Sequence, residues 1–384
     1  MQPSVRAVML QPSPLQEFFK KAGTVEGVIS FGVGQTDFQT PFFAKEKGIE
    51  AINNNFTGYT PASGIADLRK AAAVDFQRSG ITSANFPNTV IGPGAKPLIA
   101  ASLWALCNPG DEILIPGPYY PPFWDIVQDL GAKPVLVDTS QDGFTLKAQR
   151  ANNLVTNKTK GIILNSPNNP TGMVWQLSEL KSLDKNLWIV SDESYCSITF
   201  PGGKHTSIAS LPDIAKRTVT IRSCSKSFAM TGWRIGYLTG PEEVVKKIQL
   251  YLEMAVGCPC SVSQKAAIAA ISDGWDYAER HMINVLDQRR QTLMSWLDKR
   301  SIPYPNPTGA FYIFPDFSRY SVASLPLANL LLEQAKVAIT PGIAFGPYDN
   351  FLRMSYASVS NDQLQEAFKR IDGVLRELIA PKFL

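Results

Sequence analysis

The chain has 384 residues, 45% apolar and 18% charged, the balance of a folded globular protein and not of a disordered or fibrous one. Lys and Arg number 37 against 33 Asp and Glu, a net charge of +4 without a basic cluster, so neither nucleic acid nor a membrane surface is expected as a partner. Only two histidines occur, His205 and His281, which argues against Ser-His-Asp or Cys-His catalysis and excludes an H-E-x-x-H metal site. The five cysteines (Cys107, Cys196, Cys224, Cys258, Cys260) contain no C-x-x-C pair; reduced, mostly buried thiols are expected, with no disulfide framework and no metal. Met1 to Leu10 lacks a basic start and apolar run, and no later run is long enough for a bilayer, so a cytoplasmic address is expected.

At this length two lobes are expected. A Gly- and Pro-containing stretch, Phe31 to Pro41, comes first. Between Tyr59 and Gly240, apolar β-rich runs alternate with helical patterns: Glu112 to Ile115, Pro134 to Val137, Gly161 to Leu164, Leu187 to Val190, Thr218 to Ile221 and Ile235 to Leu238. That rhythm predicts an α/β fold with a mostly parallel sheet covered by helices. Asp273 to Arg300 then reads as a long charged helix. Short strands over Ala310 to Phe314, Val337 to Thr340 and Phe351 to Tyr356, with a closing amphipathic helix over Asn361 to Ile379, predict a smaller α+β lobe. The expected division is a large domain, 41–272, and a small domain, 1–40 with 273–384.

In open α/β sheets, ligands sit beyond the carboxyl ends of the strands. Four such positions carry unusual residues: Asn165-Ser166-Pro167-Asn168-Asn169-Pro170-Thr171-Gly172; Ser191-Asp192-Glu193-Ser194-Tyr195; Arg222-Ser223-Cys224-Ser225-Lys226-Ser227 followed by Arg234; and Gly92-Pro93-Gly94-Ala95-Lys96. Each alone has an ordinary explanation as a turn, a helix cap or a surface charge. Together they match one ligand, a phosphorylated pyridine aldehyde. Backbone N–H groups at Gly94 and Ala95, hydroxyls of Ser223 and Ser225 and the Arg234 fork suit the phosphate. Lys226 supplies an amine for the aldehyde, Asp192 a carboxylate for the pyridine nitrogen, and Asn169 and Tyr195 donors for the ring oxygen.

In three of these blocks, Asn165 to Gly172, Ser191 to Tyr195 and Ser223 to Gly236, with Asp192 thirty-four residues before Lys226, the chain resembles the class I/II aminotransferases, fold type I of the pyridoxal-phosphate enzymes, over nearly its whole length. The resemblance implies a seven-stranded, mostly parallel sheet in the large domain. It also implies a pyridoxal 5′-phosphate enzyme moving the amino group of an L-amino acid to a 2-oxo acid, with 2-oxoglutarate as the expected acceptor. Lys226 would hold the cofactor as an imine and serve as general base, with Asp192 and Tyr195 completing the catalytic set. Tyr59, in Gly58-Tyr59-Thr60-Pro61, would reach the phosphate across a homodimer interface. Tyr120 would stack on the pyridine, Lys96 would stand at the cofactor site, and Arg353 would grip the substrate α-carboxylate, assisted by Gly34 and Asn169. Two departures bear on substrate. Gly34-Gln35-Thr36-Asp37-Phe38 stands where many relatives read Gly-Glu-Pro-Asp-Phe, and the segment from Glu253 through Cys258 to Cys260 holds no arginine for a distal carboxylate. Lys96 is the alternative for that carboxylate. Two other readings stay open: a β-lyase on the same fold, and a non-enzymatic sensor half of a transcription regulator, for which no helix-turn-helix precedes Phe31.

Overall fold

In the computed structural model, which describes residues 1–2 and 14–379, the described residues form twelve strands: β1 (Ile29–Ser30), β2 (Thr89–Gly92), β3 (Glu112–Gly117), β4 (Lys133–Asp138), β5 (Thr159–Asn165), β6 (Trp188–Asp192), β7 (Thr218–Ser223), β8 (Gly236–Thr239), β9 (Tyr312–Ile313), β10 (Val337–Ala338), β11 (Thr340–Pro341) and β12 (Leu352–Ser355). Seven of them make one sheet in the order β2-β8-β7-β6-β5-β3-β4. Strands β4, β3, β5, β6 and β7 are parallel, and β8 runs antiparallel to β7 and β2. The central strands are covered on both faces, which is why they read as unbroken apolar runs. Val190, Val219 and Ile221 pack with Leu98, Ile99, Val245 and Ile248, whereas Ile162, Leu164 and Ile189 pack on the opposite side with Trp175 and Leu180.

Register and alternation together place the functional side chains. Asn165 pairs with Asp192 across β5 and β6, and Ser223 and Gly92 each pair with Gly236. Because successive residues point to opposite faces, Asp192 and Ser223 share the face of Val190 and Ile221, and Glu193 and Arg222 take the other. There Arg222 meets Glu193 at 3.0 Å and Asp75 at 2.9 Å, with Tyr237 donating to Asp75 at 2.9 Å and His205 Nε2 3.4 Å from Glu193.

Two smaller sheets carry the rest. β1 pairs with β10, and β11, β12 and β9 form an antiparallel sheet with β12 central. The expected strand over Val337 to Thr340 is therefore two strands, because the chain changes partner at Ile339. β2 supplies the seventh strand; its four residues are too short to show a period and become a strand by pairing with β8. The helix expected from Asp273 begins at Ser261 and runs through Ala278, a π-helical turn at Glu279–Ile283 and Asn284–Asp298. Its first half buries small residues, Ala266, Ala267 and Ala270, and packs on the helix Phe42–Asn53, so it lacks the charge that marks the second half. The cysteines are free, but only Cys224 is fully buried and Cys260 is exposed. Cys258, half-buried, and Cys260, exposed, lie in the turn between helices Glu242–Ala255 and Ser261–Ala278. Among the described residues no helix is long and apolar enough to cross a membrane.

Candidate active site

Beyond the carboxyl ends of β5, β6 and β7 lies a cavity of about 1390 Å³, where open α/β sheets place ligands. Lys226 reaches it from a four-residue helix, Cys224–Ser227, that follows β7 directly. Ser223 caps that helix, its Oγ accepting from Ser225 N at 3.2 Å. Asp192, Ser194 and Tyr195 enter from the end of β6, Asn165 and Asn169 from the end of β5, and Tyr120 from the turn after β3. Asn165 ties two of these ends together: its Nδ2 donates to Asp192 O at 3.2 Å and its Oδ1 accepts from Asn169 N at 2.9 Å.

The two central charges are both shifted by their surroundings. Burial pushes the Asp192 carboxyl up to about 6, while donation from Ser194 Oγ (2.5 Å) and Ser194 N (3.0 Å) and the charge of Lys226 pull it back. A buried carboxylate with two donors on one oxygen suits a cationic ring nitrogen on its other side. Burial lowers the Lys226 ammonium to about 8, helped by Arg234 and Arg353, and Asp192 opposes this. Lys226 Nζ donates to the carbonyl of Gly34. Attack on an aldehyde needs the neutral amine, so the second-order rate of pyridoxal 5′-phosphate attachment is expected to rise about tenfold per pH unit up to about pH 8 and to level off above it. Stopped-flow absorbance against pH measures this; a rate that keeps rising about tenfold per pH unit from about pH 8 to 10 would show that the lysine is not depressed.

An anion fits beside Lys226 in the same cavity. The helix Ala95–Leu106 begins at Gly94 without a side-chain cap, so its first N–H groups are free for a phosphate. Arg234 holds φ at +55°, a left-handed conformation uncommon for arginine, and donates to Thr231 O at 2.9 Å and Pro93 O at 3.2 Å. Its guanidinium lies so close to the turn that a Cβ on Gly94 would fall 2.5 Å from Arg234 Nη2. Gly236, across the sheet, would likewise place a Cβ 2.9 Å from Ala95 N. With Ser223, Ser225 and Ala95 also lining the cavity, these groups make a phosphate cradle.

Arg353, on β12, is buried. It donates to Asn169 Oδ1 at 3.0 Å, Gly32 O at 2.7 Å and Thr340 Oγ1 at 3.2 Å, and its buried Nε has no partner. The ring of Tyr312 lies 4.7 Å below it. An unsatisfied guanidinium N–H at the cavity wall fits a carboxylate. Gly34 also lines the cavity, where a Cβ would fall 2.5 Å from Tyr312 Oη.

All the expected site residues line this cavity except two. Gly94 stands behind Arg234, and Tyr59 is 99% exposed on the outer surface. The segment from Glu253 to Cys260 also lies away from the cavity wall, and so do both histidines. Lys96 is at the wall, its Nζ 5.9 Å from the Tyr120 ring. Three contributors went unassigned in the sequence: Asn165, Ser194 and Tyr312. Ser194 had a signal, since a serine two residues after an aspartate favours a local side-chain turn; Tyr312 had none.

Comparison with known proteins agrees with this geometry. The family model for aminotransferase class I and II matches residues 26–371. The chain belongs to the class I and II aminotransferases. It is 36% identical to aromatic-amino-acid aminotransferase 2 of Thermococcus litoralis over 97% of this chain and 98% of that one. It is also 36% identical to aspartate aminotransferase of Pyrococcus abyssi, again over 97% and 98%. The crystal structure of the aspartate aminotransferase from Rhizobium meliloti superposes with a TM-score of 0.92 at 31% identity, covering 98% of this chain and 99% of that chain. This aminotransferase thus has the fold type I architecture, and the regulator reading falls away. Family membership leaves the substrate open, because these relatives carry different substrate names.

Proposed function

We propose that this aminotransferase uses pyridoxal 5′-phosphate to move the amino group of an L-amino acid to a 2-oxo acid, with 2-oxoglutarate as acceptor, and that it works as a homodimer. One observation carries the proposal: a lysine depressed by burial shares a cavity with a buried carboxylate, a phosphate cradle and a carboxylate-binding arginine. When bound, the cofactor supplies the electron sink that makes the Cα–H of an amino acid acidic.

The protein's own residues then have separable tasks. Arg353 binds the α-carboxylate and so fixes the orientation of Cα. Lys226 Nζ, neutral once it is released from the cofactor, would take the proton from Cα, hold it as an ammonium and deliver it to the carbon that had carried the aldehyde. Asp192 holds a proton on the ring nitrogen by its negative charge, and Asn165 and Ser194 keep it in place. Tyr195 donates to the ring oxygen. Lys96 is the cation at the cavity wall that suits the distal carboxylate of 2-oxoglutarate. Tyr59 supports the homodimer: a fully exposed tyrosine stands on a loop tethered to Gln264, whose Nε2 donates to Thr60 Oγ1 at 2.9 Å.

The test adds single L-amino acids, without an acceptor, to protein loaded with pyridoxal 5′-phosphate. The visible band should fade as the pyridoxamine band grows, and the amino acid that drives this fastest identifies the donor class. Release of pyruvate and ammonia without an acceptor would instead mark a β-lyase.

A further inference from the structure

We propose that Tyr312 is a positioning residue for the reaction, donating its phenolic proton to Tyr195 so that Tyr195 is oriented toward, and strengthened as a donor for, the oxygen on the cofactor ring. The inference rests on the cofactor reading above and adds a residue that the sequence blocks do not contain.

The two phenol oxygens are 2.8 Å apart, and either could be the donor. Both rings are buried and meet edge to face at 5.6 Å and 79°, with Phe311 against Tyr195 at 5.3 Å. Among the described residues neither hydroxyl has another hydrogen-bond partner. Each phenol has one proton. Once Tyr195 spends its proton on an anionic oxygen in the cavity, the contact is a hydrogen bond only if the Tyr312 proton points at Tyr195. Pairs of this kind polarise one another, so the second donor strengthens the first.

The surroundings favour that direction. The Arg353 guanidinium lies 4.7 Å from the Tyr312 ring and eases ionisation of that phenol against the effect of burial. Tyr195, facing Tyr312, Tyr120 and Asp192, is held well above the ordinary phenol range, with burial the largest cause. The Arg353 cation beside its ring makes Tyr312 the favoured donor of the pair. Lys226, Arg234, Lys96, Lys133, Asp125 and Asp129 are the other charged groups at the cavity wall. Gly34 keeps the arrangement possible, since a Cβ there would occupy the space of Tyr312 Oη.

The test titrates the visible absorption band of the protein carrying pyridoxal 5′-phosphate on Lys226 against pH, in the unchanged protein, Tyr312→Phe, Tyr195→Phe and the double variant. A donor at the ring oxygen withdraws charge and makes the adjacent protonated nitrogen more acidic. Tyr195→Phe should therefore raise the midpoint by more than one pH unit, and Tyr312→Phe by about half to one unit, the worth of one neutral hydrogen bond. In the Tyr195→Phe background the Tyr312 change should add nothing, which a general packing effect would not reproduce. An unmoved midpoint in Tyr312→Phe, or a shift that persists undiminished without Tyr195, would overturn the inference while leaving the cofactor reading intact. Failure of the unchanged protein to develop a visible band would overturn both.

Discussion

Lys226→Ala protein is expected to form no covalent bond with pyridoxal 5′-phosphate and to lose at least about three orders of magnitude in turnover. General acid–base work by a positioned side chain is worth about 10² to 10⁴ by itself, and this variant also loses the anchor. Among the described residues Lys96 and Lys133 also line the cavity, but Lys96 is exposed near the Tyr120 ring and Lys133 is exposed and paired with Glu112 at 2.9 Å, so no second amine is placed to substitute. Arg353 and the phosphate cradle do not involve the lysine, so the variant should still retain the cofactor reversibly. Borohydride reduction followed by mass spectrometry reads the covalent bond, and single-turnover absorbance reads the rate. A wild-type rate, or a reduced adduct on another lysine at full activity, would remove Lys226 from the mechanism.

Arg222→Met should lower the free energy of unfolding by about 3 to 5 kcal/mol, the usual cost of removing one member of a buried ion network. Arg222 sits 3% exposed between Glu193, fully buried, and Asp75, 3% exposed. It also donates to Ser79 Oγ at 2.7 Å. Without the guanidinium two carboxylates face each other in the core, with His205 and neutral hydroxyls of Ser191, Ser207 and Tyr237 as the remaining partners. Urea unfolding measures the loss; a change below about 1 kcal/mol would show that the network carries little.

The acid side of the same network has a definite sign. Burial pushes Glu193 up, but His205 and Arg222 outweigh it and hold the carboxyl at about 2. The unfolded value is about 4.3, so the folded pKa is depressed. This contribution is fully present above about pH 4.3 and is lost as pH falls through that range toward 2. In Arg222→Met the folded pKa rises, and acid unfolding should begin at a higher pH.

The amino-acid order alone determined which chemistry the chain could hold. Strands β5, β6 and β7 are buried on both faces, so their apolar runs stand out, and the polar residues that interrupt each run at its carboxyl end must face a ligand or a partner. That is why Asn169, Asp192, Tyr195, Ser223 and Lys226 could be named from their positions. Local signals also located the glycine turn at Gly94. Tertiary structure decided everything that depends on parts of the chain meeting. β2 exists only because β8 pairs with it, and Arg353 and Tyr312 reach the cavity only because β12 and β9 pair next to each other. Arg222 looks like another polar residue in a strand-end block, yet strand alternation turns it away from the cavity and into an ion network beneath Glu193. Tyr195 could be read as a donor, but its own donor is 117 residues away. Periodicity and turn chemistry act over a few residues, whereas these contacts are set by packing between distant segments, which no local pattern encodes.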